Sequence, residues 1–289
     1  MSYDLFFKPR SGLVDPKGFV DYFSSRPNYK VNLTQARYRN EDTGVYFVFD
    51  LRPEREANDG ETYPVSLNIN YFRPSYFILE AEPEVTALVR SFDLVVSDPQ
   101  AHGMGEGEYD PELLKTGWNH GNDFGCFAFM RVHPNGGEVY SLPTAKLIKA
   151  WSWNANRRAL QNELGASKFL PRVKFILLEG QVATAAVWPD GIPIAIPEVD
   201  YLLVLRRELA PRRFLKRRED RTLVALKDAS PLLGKHRRPW TQDVLVLDYS
   251  QPPRDVVRYV ESLPKDEREI KELAPDQVLN RELLEKYLV

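Results

Sequence analysis

Cysteine is nearly absent from this 289-residue chain: Cys126 stands alone. A single thiol excludes an internal disulfide and any cysteine-rich zinc site. No apolar run reaches the roughly 18 residues of a membrane helix, so no membrane span is expected. The opening Met1-Ser2-Tyr3-Asp4-Leu5 lacks a basic segment ahead of an apolar one, which predicts no secretory signal and a cytoplasmic location. Enzyme motifs are missing too. No serine stands in Gly-x-Ser-x-Gly, and no Gly-x-Gly-x-x-Gly joins a strand to a helix. Gly103, Gly105 and Gly107 fall short of a phosphate loop, because no Gly-Lys-Ser/Thr follows and Glu106 and Glu108 would repel phosphate. Cys126 as a nucleophile would need His120 or His133 as its base; flanked by Gly125 and Phe127, it reads better as a small buried apolar residue. The four histidines, His102, His120, His133 and His236, show no chelating spacing. A zinc site would have to assemble from distant residues such as His102, His120 and Asp123. No catalytic residue, cofactor or metal ligand is assigned.

What is present is ordinary globular composition, 43% hydrophobic and 28% charged, with 22 prolines. Tyr3–Phe7 reads as a strand. Asp15-Pro16 opens a helix, with the acid as cap and proline in the first turn. Residues 30–39 and 45–51 form a hairpin around Glu41-Asp42-Thr43-Gly44. After a polar loop over 52–63, Val65, Leu67, Ile69 and Tyr71 alternate with Ser66, Asn68 and Asn70, the clearest period of two in the chain. A further strand is expected over Tyr76–Leu79, a helix over Pro83–Phe92 and a short strand over Leu94–Val96. Residues 98–126 read as a glycine-rich and aromatic special loop, with Asp110-Pro111 opening a helix inside it. A helix over Ala145–Leu164 precedes strands at Val173–Leu178, Val182–Trp188, Asp200–Arg206, Arg221–Leu226 and Asp243–Tyr249. Helices are expected over Pro253–Leu263, Asp266–Leu273 and Asp276–Leu288, the last with Leu279, Leu283 and Tyr287 on one face. The fold class is α+β: two mixed, largely antiparallel sheet groups with flanking helices and a helical C-terminus. The expected domains are an acidic 1–140 and a basic 141–289, with fusion of the two into one unit left open.

The net charge of −2 conceals an asymmetry. Residues 1–144 hold 13 Lys+Arg and 21 Asp+Glu, whereas 145–289 hold 26 and 20. Between Arg206 and Arg238 there are 12 Lys/Arg against four acids. Arg206, Arg207, Arg212, Arg213, Lys216, Arg217, Arg218 and Arg221 are the candidate basic patch. Arginine suits phosphate and carboxylate forks, and Phe214 and Trp240 are able to stack on bases. Nucleic acid, an acidic protein partner, the acidic half of the same chain and a plain solvated face are all open readings.

The opening Ser2-Tyr3-Asp4-Leu5-Phe6-Phe7, with Asp42-Thr43-Gly44-Val45-Tyr46-Phe47, Glu80-Ala81-Glu82-Pro83-Glu84, Asp98-Pro99-Gln100 and Gly117-Trp118-Asn119-His120-Gly121-Asn122, resembles uncharacterised myxobacterial immunity-like proteins. The segment is also similar, more loosely, to the immunity partners of toxins that such bacteria exchange between cells. The resemblance covers mainly residues 1–125 and brings no catalytic motif. It implies a non-enzymatic protein that binds and neutralises a cognate toxin. An acidic interface of Glu41, Asp42, Asp50, Glu54, Glu56, Glu106 and Glu108 would complement a cationic toxin cleft and mimic nucleic acid against a nuclease. The alternatives are nucleic-acid binding by 206–238 and an enzyme with its site around residues 98–126.

Overall fold

A computed structural model describes residues 1–52, 62–133, 139–213, 216–217, 219–240 and 244–287, with 212–213 and 216–217 described in backbone alone. The chain divides into two compact units. Met1–Thr144 and Asp276–Val289 make the first, and Ala145–Pro275 the second.

In the first unit, Tyr3, Leu5 and Phe7 are buried in alternation along β1 (Ser2–Pro9). Asp15 caps α1 (Pro16–Ser24) by accepting the Gly18 amide at 2.9 Å, which turns Phe19 and Phe23 into the core. β2 (Tyr29–Val31), β3 (Gln35–Arg39), β4 (Tyr46–Leu51) and β5 (Val65–Asn70) follow. Along β5, Val65, Leu67 and Ile69 are buried, with Asn68 and Asn70 half-exposed on the other face. Then come α2 (Tyr76–Phe92), β6 (Leu94–Asp98), β7 (Gly105–Gly107), α3 (Pro111–Val132) and β8 (Tyr140–Leu142). The seven-stranded antiparallel sheet has the order β2-β3-β4-β5-β1-β6-β7. α1, α2 and α3 reach the sheet face that carries Tyr3, Tyr38 and Phe49. Phe23 of α1 lies 5.1 Å from Phe49, Tyr38 donates to Glu80 of α2, and Gly117 of α3 packs on Tyr3.

α4 (Thr144–Leu164) leads into the second unit. Its strands are β9 (Val173–Leu178), β10 (Gln181–Pro189), β11 (Ala195–Ile196), β12 (Tyr201–Arg206), β13 (Arg212–Arg213), β14 (Lys216–Arg217) and β15 (Asp220–Ala225). α5 (Leu226–His236), β16 (Arg237–Pro239), β17 (Leu245–Leu247), α6 (Arg254–Ser262) and β18 (Ile270–Leu273) complete it. The main sheet is β15-β12-β10-β9-β18, with β11-β17-β16 as a smaller sheet and β13-β14 as a two-stranded ribbon. The chain then returns to the first unit as β19 (Val278–Asn280) and α7 (Arg281–Glu285), and β19 pairs in parallel with β8. β10 and β12 are also parallel, and the other strand pairs are antiparallel. The protein is therefore α+β, with seven α-helices among the described residues. None of those helices is long and apolar enough to cross a membrane.

Three expectations need correction. Tyr76–Leu79 is the first turn of α2, because Phe77, Ala81, Val85 and Leu88 form one buried helical stripe that starts upstream of Pro83. The helix expected over Asp266–Leu273 is replaced at Ile270–Leu273 by an edge strand on β9. The long terminal helix is a strand and one short helix, since Val278–Asn280 finds a ladder on β8. This last pairing also places residues 276–289 in the first unit rather than in a domain running from 141 to the end. The loop expected over 52–63 falls mostly outside the described residues.

Candidate functional site

α3 is the centre of the candidate site. Asp110 starts it by accepting the amides of Glu112 and Leu113 at 2.7 and 3.1 Å, with Pro111 in the first turn. Its inner face is cut away by glycine. A Cβ at Gly121 would lie 2.2 Å from the Tyr71 ring, and one at Gly117 only 3.1 Å from the Tyr3 hydroxyl. Asn122, almost fully buried, accepts the Arg73 amide at 3.0 Å and donates to the Arg73 carbonyl at 2.9 Å, which clasps the β5–α2 connection. The helix therefore sits directly on the sheet, and the helix expected to open at Asp110-Pro111 runs through the rest of the 98–126 segment and on to Val132.

A cleft of about 580 Å³ runs along α3. Thr116, Asn119, His120 and Asp123 line one side, and Ser75, Thr144, Asn280, Glu282, Leu283 and Lys286 the other. Its polar groups close on each other. Asn280 accepts the Ser75 amide at 2.8 Å and donates to the hydroxyls of Ser75 and Thr144 at 2.8 and 2.9 Å. The Thr144 hydroxyl and amide both donate to Glu282. That hydroxyl holds the Glu282 carboxyl below its ordinary value, so the cleft presents a carboxylate and not an acid at neutral pH. Lys286 stands 3.3 Å from Asp123.

Next to the cleft, the segment after β6 folds back over Asp98. Its buried carboxylate accepts the amides of Gln100 and Met104 at 3.1 and 3.0 Å and the Tyr3 hydroxyl. Burial and then Asp98 push the Tyr3 phenol far above its usual range, so it remains a donor. This loop carries His102 to His120 on α3, with ring centroids 3.7 Å apart. Asp123, the third residue of the set read from the sequence, is engaged by Lys286, and no three His, Cys, Asp or Glu side chains converge among the described residues. Cys126 is fully buried on the inner face of α3, packed in a cluster with Met130, Leu279 and Leu284. Burial pushes its thiol up to about 12, which leaves little thiolate at neutral pH.

The outer face of α3 is aromatic. Phe124 is 57% exposed and Phe127 38%, with ring centroids 6.2 Å apart. Tyr287 lies edge-on to Phe127 at 5.4 Å.

The acidic residues read from the sequence are not gathered into one face. Glu41 is exposed in the β3–β4 turn beside Arg39, while Asp42 is buried. Asp50 on β4 accepts from Gln35 at 2.8 Å. Glu106 and Glu108 belong to the β7 edge, four strand positions and about 19 Å across the sheet from β4. Glu108 pairs with Arg10. Glu54 and Glu56 lie outside the described residues. The basic set divides likewise. Arg206 is buried, forked onto Asp220 at 2.7 and 2.9 Å, and donates to the carbonyls of Val260 and Leu263. It holds the second unit together and is not surface charge. Arg207 is exposed and pairs with Glu219 at 3.1 Å, and Arg221 is exposed on β15. Arg212 and Arg213 pair in register with Arg217 and Lys216 as a ribbon, and Arg218 lies outside the described residues.

No protein-family model, curated protein or solved structure matches this chain. The site residues missed from the sequence are Phe124, Phe127, Asn280, Glu282 and Lys286. For the two phenylalanines a signal existed: both lie off the buried stripe of Leu114, Trp118, Cys126 and Met130 once 111–132 is read as one helix.

Proposed function

We propose that this chain works by binding another protein, with the outer face of α3 and Tyr287 as the contact surface. The observation that carries this reading is the exposed pair Phe124–Phe127 on α3, with half-buried Tyr287 packed beside it. Large aromatic rings held in water on a rigid helix are the anchors that protein interfaces use, because they bury much area at small entropic cost. The glycine seat of α3 supports it, since a helix fixed from beneath presents its outer rings pre-organised. The Lys286–Asp123 pair beside the patch provides a polar rim. In its sharpest form the partner is a bacterial toxin that the chain neutralises, the role implied by the resemblance of residues 1–125. A second reading, nucleic-acid binding, draws on the β13–β14 ribbon. In its backbone register Arg212 is opposite Arg217 and Arg213 opposite Lys216, so all four paired positions of the ribbon are basic residues, the composition a polyanion selects.

A tagged chain incubated with a nuclease-treated lysate of its source cells should retain one dominant protein. The Phe124→Ser/Phe127→Ser variant should lose it. That protein should arrest growth when expressed alone and be harmless when expressed with this chain. Retention by the double variant would remove the α3 face from the reading, and recovery that nuclease abolishes would move it to the basic ribbon.

A further inference from the structure

We propose that His102 and His120 form a binding site for a divalent transition-metal ion of the Ni²⁺, Cu²⁺ and Zn²⁺ group. Eighteen positions apart in sequence, their rings meet at 3.7 Å between centroids with 52° between planes. Two nitrogens on one such ion, each at about 2.0–2.1 Å, are at most about 4.2 Å apart. Rings already in van der Waals contact reach that separation by small side-chain rotations. Neither imidazole makes a hydrogen bond to another described residue, and both are exposed, so ring nitrogens are available to an ion from solvent.

Both rings also stand on fixed supports. His102 lies in the loop that Asp98 ties through the Gln100 and Met104 amides, and that loop is closed by Gly103 donating to the Gln100 carbonyl at 2.9 Å. His120 stands one turn beyond Gly117, where a side chain would be 3.2 Å from the His102 carbonyl. Tyr3 ties the two supports together, with its hydroxyl on Asp98 and its ring against Gly117. Such pre-organisation makes a two-imidazole site worth occupying, because little ordering remains to be done on binding. With only two protein ligands the remaining positions belong to water, so the ion is exchangeable. Imidazole donors favour the later first-row ions, with Cu²⁺ above Ni²⁺ and Zn²⁺, and not Mg²⁺ or Ca²⁺, which prefer oxygen. A bound ion would staple the 98–104 loop to α3 at the rim of the cleft.

The test uses the full chain without a histidine tag. Calorimetric titration with Ni²⁺ should give one ion per chain and a rise in Tm, and Mg²⁺ should give neither. His102→Ala and His120→Ala should each lower the Ni²⁺ affinity at least about tenfold and abolish the Tm rise. His133→Ala should leave both unchanged. Circular dichroism confirms that each variant folds, which is expected because both rings are on the surface. Absence of Ni²⁺ binding by the wild-type chain, or binding that survives both single substitutions, would overturn the proposal.

Discussion

Asp98 shows how one carboxylate sets a whole loop. It takes two backbone amides and a tyrosine hydroxyl while nearly fully buried, and it leaves no room above it. A Cβ at Gly103 would fall 2.1 Å from its Oδ2 and 2.2 Å from its Cγ. The carboxylate has no freedom to yield without breaking its own bonds. Gly103→Ala should therefore destabilise the protein by about 1–3 kcal/mol, the usual cost of overpacking. Urea denaturation checks this, and an unchanged midpoint would mean that the loop relaxes freely. In the sequence Gly103 suggested only a poor phosphate loop. Its steric reason depends on Asp98, which the linear order cannot bring over it. The same holds for His102 and His120, whose contact follows from the loop's reversal and from no spacing rule.

At the scale of single elements, the two neighbours Arg206 and Arg207 separate structure from surface. Arg206 ends β12 inward and is fully committed to Asp220 and two carbonyls, whereas Arg207 points outward to Glu219. Arg206→Ala leaves Asp220 buried without its partner and should cost about 3–5 kcal/mol. Arg207→Ala should leave the denaturation midpoint nearly unchanged, because exposed pairs contribute little. Asp266 adds a pH signature in the same unit. Arg268 side-chain hydrogen bonds, opposed in part by burial, hold its carboxyl down at about 2. A folded-state value below the unfolded one of about 3.9 means that the stabilisation is present above that value and is lost as pH falls through about 2. The stability gap between wild type and Asp266→Asn should be constant above about pH 5 and close between about pH 4 and 2. A gap independent of pH would show that the pairing with Arg268 is not its origin.

Element type was legible where a pattern was long or capped. The alternation of β5 and the Asp-Pro starts of α1 and α3 are decided within a few residues. The tail was not legible. Leu279 and Leu283 do pack against the inner side of α3, with Tyr287 bridging from that cluster to Phe127, but through a strand and a short helix. What converts 278–280 to strand is β8, more than 130 residues earlier, together with Asn280 bonding Ser75 and Thr144. The binding face was hidden for a related reason. Five glycines between 103 and 121 suggest a loop until the partners of three of them are in place, Asp98 over Gly103, Tyr3 over Gly117 and Tyr71 over Gly121.

For the whole molecule, the covalent path matters most. The second unit is an insertion, entered at 144–145 and left at 275–276, with β8 and β19 paired just outside both crossings. The ends of the interrupted unit are thus held together by the first unit's own ladder and by the Ser75–Asn280–Thr144–Glu282 bonds. Replacing residues 145–275 by a Gly/Ser linker of about ten residues, which reaches at most about 36 Å, should leave a folded first unit. Cooperative thermal unfolding and a dispersed amide spectrum would establish this. A molten product would mean that the first unit needs the insertion.

The β8–β19 ladder also fixes an order of events during synthesis. Residues 1–144 leave the ribosome before the inserted unit, yet β19 and α7, which complete their ladder and cover Met130 and Cys126, emerge only after it. The inserted unit has all its strands before then, and domains fold as units while the chain grows. A nascent chain halted at residue 275 would carry a finished second unit and an unclosed first one, with the apolar inner side of α3 left for a chaperone to guard.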